Sequence, residues 1–415
     1  MALMIYHQLF AQRSTPTIKN EADVPAYDLP LLLRTESGIE VKTAEAWERL
    51  RRPEIHAYFA NQVYGVVPSE LNIHKVEVLD FEPNALGGKA IRKQVQLHFK
   101  KGKKSIAMRL LIYLPKDKKK SPVFLAYNFK GNHSVNSDPA ILIGGKKESE
   151  LSQEELKSDK LGSRGSRSSR WAIDTMIGAG YGLVTIDYND VDPDKNDFSD
   201  GIHSLFYKSG QTAPEKNEWG SLSAWAWGMS KAMDYLETEP LVDSKKVILF
   251  GHSRLGKTAL WAGANDKRFS LVISNNSGCG GAALSRRRFG EKLSDINTKF
   301  PHWFCENFHF FNENESALAV DQHMLIALIA PRPVYVASAS QDLWADPKGE
   351  FLAAQWASSV YLLYGKKGLT MQSQPPVNTP YHGTVGYHLR EGKHDVTQYD
   401  WEQYIKFAEK NFKSN

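Results

Sequence analysis

The stretch Lys246-Val247-Ile248-Leu249-Phe250-Gly251-His252-Ser253-Arg254-Leu255-Gly256-Lys257 runs an apolar segment straight into a serine set between glycines. A continuous apolar run is what a parallel strand buried on both faces requires, and helix formers follow at Thr258-Ala259-Leu260-Trp261-Ala262. A serine on such a strand-to-helix turn exposes its hydroxyl for nucleophilic attack, and the amide after it faces the oxygen that becomes negative. Glycines flank it because neighbouring backbone leaves no room for a Cβ. The second glycine is Gly256, one position later than in the commonest G-x-S-x-G form, and a serine that merely ends a strand or caps a helix is the competing reading.

A serine hydroxyl is a poor nucleophile until a histidine accepts its proton and a carboxylate orients that histidine. In chains with this turn the order is serine, acid, histidine, the histidine following the last strand. His394, in Glu391-Gly392-Lys393-His394-Asp395, has that place, whereas His382 precedes the last strand and His388 lies inside it. For the acid, the loop after the strand following the elbow reads Ser274-Asn275-Asn276-Ser277-Gly278 and holds no carboxylate. The next reads Gln341-Asp342-Leu343-Trp344-Ala345-Asp346-Pro347, so Asp342 is the expected acid and Asp346 the fallback. A plain loop-capping aspartate is the alternative. Asn128-Phe129-Lys130-Gly131-Asn132-His133-Ser134 stands where a second oxyanion amide is supplied, and a turn without chemistry fits it almost as well. Arg254 offers its amide and a charged donor beside the nucleophile, and Lys257, one helical turn on, is expected to face the same mouth.

These residues need a scaffold, and the elements alternate accordingly. Strands are expected at Val76–Leu79, Gln94–Phe99, Met108–Leu114 and Val123–Tyr127, the second alternating at period two as an antiparallel strand with one wet face. A helix over Trp171–Ala179, a strand over Gly182–Tyr188 and a helix over Leu222–Leu236 lead to the elbow. Beyond it come strands at Leu271–Ser274, Pro333–Ser338 and Thr384–Leu389, then a helix from about Val396 to Phe412. Strands alternating with helices predict an α/β class, a mainly parallel central sheet with helices on both faces in a three-layer sandwich: the α/β-hydrolase fold. Residues 1–42 are expected as an N-terminal arm, its Met4–Gln12 a processed remnant or added residues. Residues 43–415 are expected as a single catalytic domain, with a polar surface insertion at about 144–170. Thr43 is the expected cap of the first helix.

Of 415 residues, 52 are Lys or Arg and 47 Asp or Glu, a net charge of +5. The excess sits in turns such as Lys100-Lys101-Gly102-Lys103-Lys104, with no aromatic-interleaved basic stripe, so no nucleic-acid partner is expected. No apolar run is long enough to span a bilayer, which argues against a membrane partner. No cluster of zinc-like spacing occurs, and neither cofactor nor metal is expected.

Taken with Ser277-Gly278-Cys279-Gly280-Gly281-Ala282-Ala283, Pro301-His302-Trp303-Phe304, Asp321 through Arg332 and Asp342-Leu343-Trp344, the elbow resembles the bacterial glucuronoyl esterases, carbohydrate esterase family 15. The resemblance runs from roughly Thr43 to the C-terminus. It implies a secreted or periplasmic serine esterase that cleaves the ester between 4-O-methyl-glucuronic acid of glucuronoxylan and a lignin alcohol; separately, a monomer is expected. An acetyl or feruloyl xylan esterase is the enzyme alternative, and a non-catalytic carbohydrate-binding relative the other. By position Ser253 matches the nucleophile, His394 the base and Arg254 the residue polarising the oxyanion, while Lys257, Glu291 and Trp344 match the sugar-holding residues. Glu291 balancing the Arg286-Arg287-Arg288 run, and Trp344 as a core residue, stay open as alternatives. Many members carry a glutamate where this chain has Asn276, and some bacterial ones use an aspartate matching Asp342. Two cysteines, Cys279 and Cys305, allow one disulfide or two thiols, and an exported protein favours the disulfide.

Overall fold

Side chains along the central strands go alternately to two cores, one on each face of the sheet. The computed structural model describes residues 16–68, 71–157 and 164–413; Met4–Gln12 and part of the insertion lie outside the described residues. In β4 (Ser121–Asn128), Val123, Leu125 and Tyr127 enter one core and Phe124 and Ala126 the other. In β6 (Val242–His252), Val247 and Leu249 oppose Ile248 and Phe250, and in β8 (Val334–Ala339), Val334 and Val336 oppose Tyr335 and Ala337. A strand apolar on both sides must be covered on both sides. Helices Ser221–Leu236, Arg254–Asn265 and Pro347–Leu363 cover the first face, and Ile173–Gly178 and Gln398–Lys413 the second.

The remaining strands are β1 (Lys75–Asn84), β2 (Ala90–Lys101), β3 (Lys104–Pro115), β5 (Gly182–Asp187), β7 (Leu271–Asn275), β9 (Tyr381–His382) and β10 (Val385–Arg390). Their order is β1-β2-β3-β5-β4-β6-β7-β8-β10-β9. The six middle strands β5-β4-β6-β7-β8-β10 are parallel and the flanks antiparallel, as the α/β expectation required. Strand β1 runs well beyond Val76–Leu79, because an exposed edge strand carries little apolar signal. The helix expected from Trp171 begins at Ile173, with Trp171 closing a preceding turn on Ser168. Tyr188 leaves the strand for a 3-10 turn capped by the Asp187 side chain, which accepts from the Asn189 amide at 3.0 Å. Thr43 caps its helix as expected, accepting from the Ala46 amide at 3.1 Å.

The described part of the N-terminal arm lies on the body: Leu32 and Val41 enter the first core, and Glu21 pairs with Arg287 at 2.6 Å. The described part of the insertion is largely exposed, yet its end reaches the site, where Arg170 pairs with Asp395 at 2.6 Å. The disulfide expectation is corrected: Cys279 and Cys305 are free and buried. Cys305 Sγ points at the Asn61 carbonyl at 3.9 Å, while Cys279 packs in the first core near Lys257 and Glu291. Among the described residues no helix is long and apolar enough to cross a membrane.

Candidate active site

Ser253 stands between the end of β6 and the helix Arg254–Asn265 with φ 59° and ψ −129°, a region that L-residues seldom occupy. Its N–H donates to Asn275 O at 2.9 Å, and its carbonyl accepts from the Gly256 amide at 2.8 Å, so the neighbouring strand and the first helical turn hold the strained residue. A Cβ on Gly251 would lie 1.9 Å from the Leu255 carbonyl oxygen, and one on Gly256 2.9 Å from Ser277 Cβ. The displaced second glycine thus has its own reason: Gly256, not the buried Leu255, meets the next loop.

His394 follows β10 and Asp342 follows β8, neighbouring parallel strands whose loops leave the sheet on the same edge. The two loops are joined, Ser340 N–H donating to Arg390 O and Gln341 N–H to Gly392 O, both at 2.9 Å. Arg390, buried at the end of β10, brackets the histidine by donating to the carbonyls of Lys393 and Asp395 at 2.7 Å each, and Asp400 holds its Nε at 2.9 Å. His394 Nδ1 then meets Asp342 Oδ2 at 2.6 Å, with the imidazole 41% exposed and the carboxylate 5%. Burial pushes the Asp342 carboxyl up, but the His394 hydrogen bond and charge, the Asn276 amide and the Ala345 N–H outweigh it and keep it below its ordinary value. A half-exposed imidazole held by a buried carboxylate is poised to take a proton from outside. Ser253 Oγ makes no hydrogen bond to His394 among the described residues; such bonds often tighten only around substrate.

The alternatives to these residues have other work. Asp346 is buried against Arg287 Nε at 2.8 Å and caps the helix Pro347–Leu363 by accepting from the Gly349 N–H at 2.9 Å. His388 is fully buried between Tyr335 and Asp400. His252 lies under His394, ring centroids 4.6 Å apart, and burial together with the His394 charge keeps it well below the usual histidine value.

Arg254 is fixed from several sides. Its guanidinium bonds to Asp194 and lies over the Trp303 ring at 4.6 Å, with Phe300 at 5.5 Å and Phe129 at 5.7 Å. Phe300 and Trp303 stack in parallel, centroids 3.8 Å apart. Asp194 also accepts from Trp303 Nε1 at 2.7 Å, His302 Nε2 at 2.9 Å and the Tyr188 hydroxyl at 3.0 Å. Burial would raise the Asp194 carboxyl, yet His302, the Arg254 charge, Trp303 and Tyr188 hold it at about 2. Asp194 was not singled out from the sequence, because nothing in Val191-Asp192-Pro193-Asp194-Lys195 marks one aspartate as the partner of an arginine 60 residues on. Lys257 is buried rather than open to the mouth: its Nζ donates to Ser277 O, and burial lowers its affinity for the proton while the Glu291 charge opposes that loss. Burial raises the Glu291 carboxyl, with Lys257 opposing, and Glu291 N–H donates to Trp344 O at 3.0 Å. Trp344 is 43% exposed, not core. The arginine run is engaged elsewhere, Arg287 with Asp346 and Glu21, Arg288 with Glu313 and Glu315.

Residues 169–365 match a family described as glucuronyl esterase, fungi. The carbohydrate esterase MZ0003, from an unknown prokaryotic organism, is 51% identical over 397 residues, covering 94% of this chain and 91% of that protein. The solved glucuronoyl esterase from Solibacter usitatus has a TM-score of 0.87 at 47% identity, over 94% of this chain and 100% of that one. A 4-O-methyl-glucuronoyl methylesterase from Wolfiporia cocos is 32% identical over 194 residues, 44% of this chain and 47% of that relative. With the fold shared over 94% of its length and sequence similarity along nearly all of it, the chain belongs to carbohydrate esterase family 15, the glucuronoyl esterases.

Proposed function

We propose that this chain is a serine esterase hydrolysing the ester between the carboxyl of 4-O-methyl-glucuronic acid on glucuronoxylan and a lignin alcohol. The observation that carries the reading is the 2.6 Å bond between His394 Nδ1 and Asp342, on the loop pair beside a serine held at φ 59°. Ser253 Oγ attacks the uronate carbonyl as His394 Nε2 takes its proton, and Asp342 stabilises the imidazolium without taking the proton itself. The Arg254 N–H and an amide of the Phe129–Gly131 loop receive the oxyanion. The Arg254 guanidinium adds positive potential there, its direction fixed by Asp194 and the Trp303 face. His394 then returns the proton to the leaving alcohol, and a water, deprotonated by the same imidazole, frees the acid from Ser253. Lys257 and Glu291, though buried, are the expected partners of those sugar hydroxyls that reach into the site, and exposed Trp344 offers a flat apolar face to the CH groups. A polymeric substrate does not cross membranes, which puts the enzyme outside the cytoplasm, in the periplasm or secreted.

Hydrolysis of benzyl glucuronate against nitrophenyl acetate tests the assignment. The uronate ester should be preferred in kcat/KM; a preference for the small activated acetate would instead mark a general or acetyl esterase. Soaking with glucuronate should place the carboxylate at Ser253 and Arg254, and a sugar bound away from Lys257, Glu291 and Trp344 would remove the basis for the uronate reading.

A further inference from the structure

Asn276 is a buried amide, 2% exposed, that donates from Nδ2 to Asp342 Oδ2 at 2.9 Å, the same oxygen that meets His394 Nδ1. Its orientation is determined by a chain of groups. The Asp395 carbonyl can only accept, so the Asn275 side-chain group facing it at 3.1 Å is the NH2. That NH2 also donates to Asn276 Oδ1 at 2.9 Å, and the Asn275 Oδ1 accepts from the Tyr404 hydroxyl at 3.0 Å. Asn276 therefore turns its own NH2 to Asp342; flipping it would set two NH2 groups against each other and an oxygen against a carboxylate. The backbone has φ 47°, a conformation asparagine tolerates better than most residues, and the Asn276 N–H is tied to Ala337 O at 2.7 Å.

We propose that Asn276 is a positioning residue for the catalytic carboxylate: an uncharged donor that keeps Asp342 aimed at His394, linked through Asn275 to the carbonyl next to His394. The proposal rests on the esterase reading of Ser253, His394 and Asp342. Being neutral, the amide steers the carboxylate without competing for the histidine, a role that a second carboxylate there would fill only by repelling the first.

The test uses benzyl glucuronate and two variants that remove the donor. Asn276→Gly leaves the positive φ unstrained, whereas Asn276→Ala strains it as well. Both should lower kcat by roughly 5- to 30-fold with KM within about 2-fold, since the donor acts as the histidine becomes charged. Combined with Asp342→Asn, Asn276→Gly should change kcat by less than about 2-fold, because its effect passes through the carboxylate already lost. A folded Asn276→Gly enzyme with kcat within 2-fold of wild type overturns the proposal, as does an equal loss in both backgrounds. Failure of the parent reading looks different: Asp342→Asn alone would keep wild-type activity.

Discussion

At the scale of the residue, two aspartates four positions apart face different partners. Asp342 meets His394 at 2.6 Å, and Asp346 is spent on Arg287 and a helix cap. Asp342→Asn should lower kcat by roughly 10²- to 10⁴-fold with little change in KM, because the lost interaction is made mainly with the imidazolium. Asp346→Asn should instead lower the melting temperature and leave kcat of the folded fraction near wild type. Ser253→Ala should reduce turnover on the order of 10⁴-fold or more while circular dichroism stays native. Activity above about a tenth of wild type would remove Ser253 from the nucleophile's role.

Among the elements, the elbow was legible from the order of residues, though its late second glycine left a competing reading open, because β6 had to be apolar on both faces and its end had to admit a close backbone. The geometry makes that demand unequal. A Cβ at Gly251 would meet a carbonyl oxygen at 1.9 Å, whereas at Gly256 the nearest atom, Ser277 Cβ, is 2.9 Å away, a smaller overlap although it too is set by the backbone. Gly251→Ala should destabilise by roughly 2–4 kcal/mol in urea unfolding, and Gly256→Ala by distinctly less. Equal effects would mean that the turn relaxes as a unit. The loops were readable only in part. Loop order pointed to His394 and Asp342, since topology places the ends of neighbouring parallel strands side by side. Asp194 and the donor role of Asn276 were not legible, because each acts across long sequence separations: Asp194 reaches Arg254 and Trp303, and Asn276 reaches Asp342. The family motif did contain His302 and Trp303, but only the structure connects them to Arg254 through Asp194.

At the scale of the whole molecule, Asp194 joins the loop after β5, the elbow helix and the 300–303 segment through one carboxylate. Its folded value of about 2 lies below the ordinary 3.8, so it stabilises the fold above about pH 4 and loses that contribution as pH falls toward 2. The melting temperature of Asp194→Asn should therefore fall less steeply than wild type between pH 4 and 2; parallel curves would show that the site carries no acid-linked stability. The cysteines have a wider consequence. Both thiols lie inside the packed body, and burial pushes Cys279 well above its ordinary value and Cys305 up to about 11, so neither is a ready thiolate. Denatured, unreduced protein should yield two titratable thiols, and dithiothreitol should leave the melting curve unmoved. The fold is then indifferent to the redox poise of its surroundings, so production in a reducing host, without disulfide isomerases, should give the same molecule as an oxidising one.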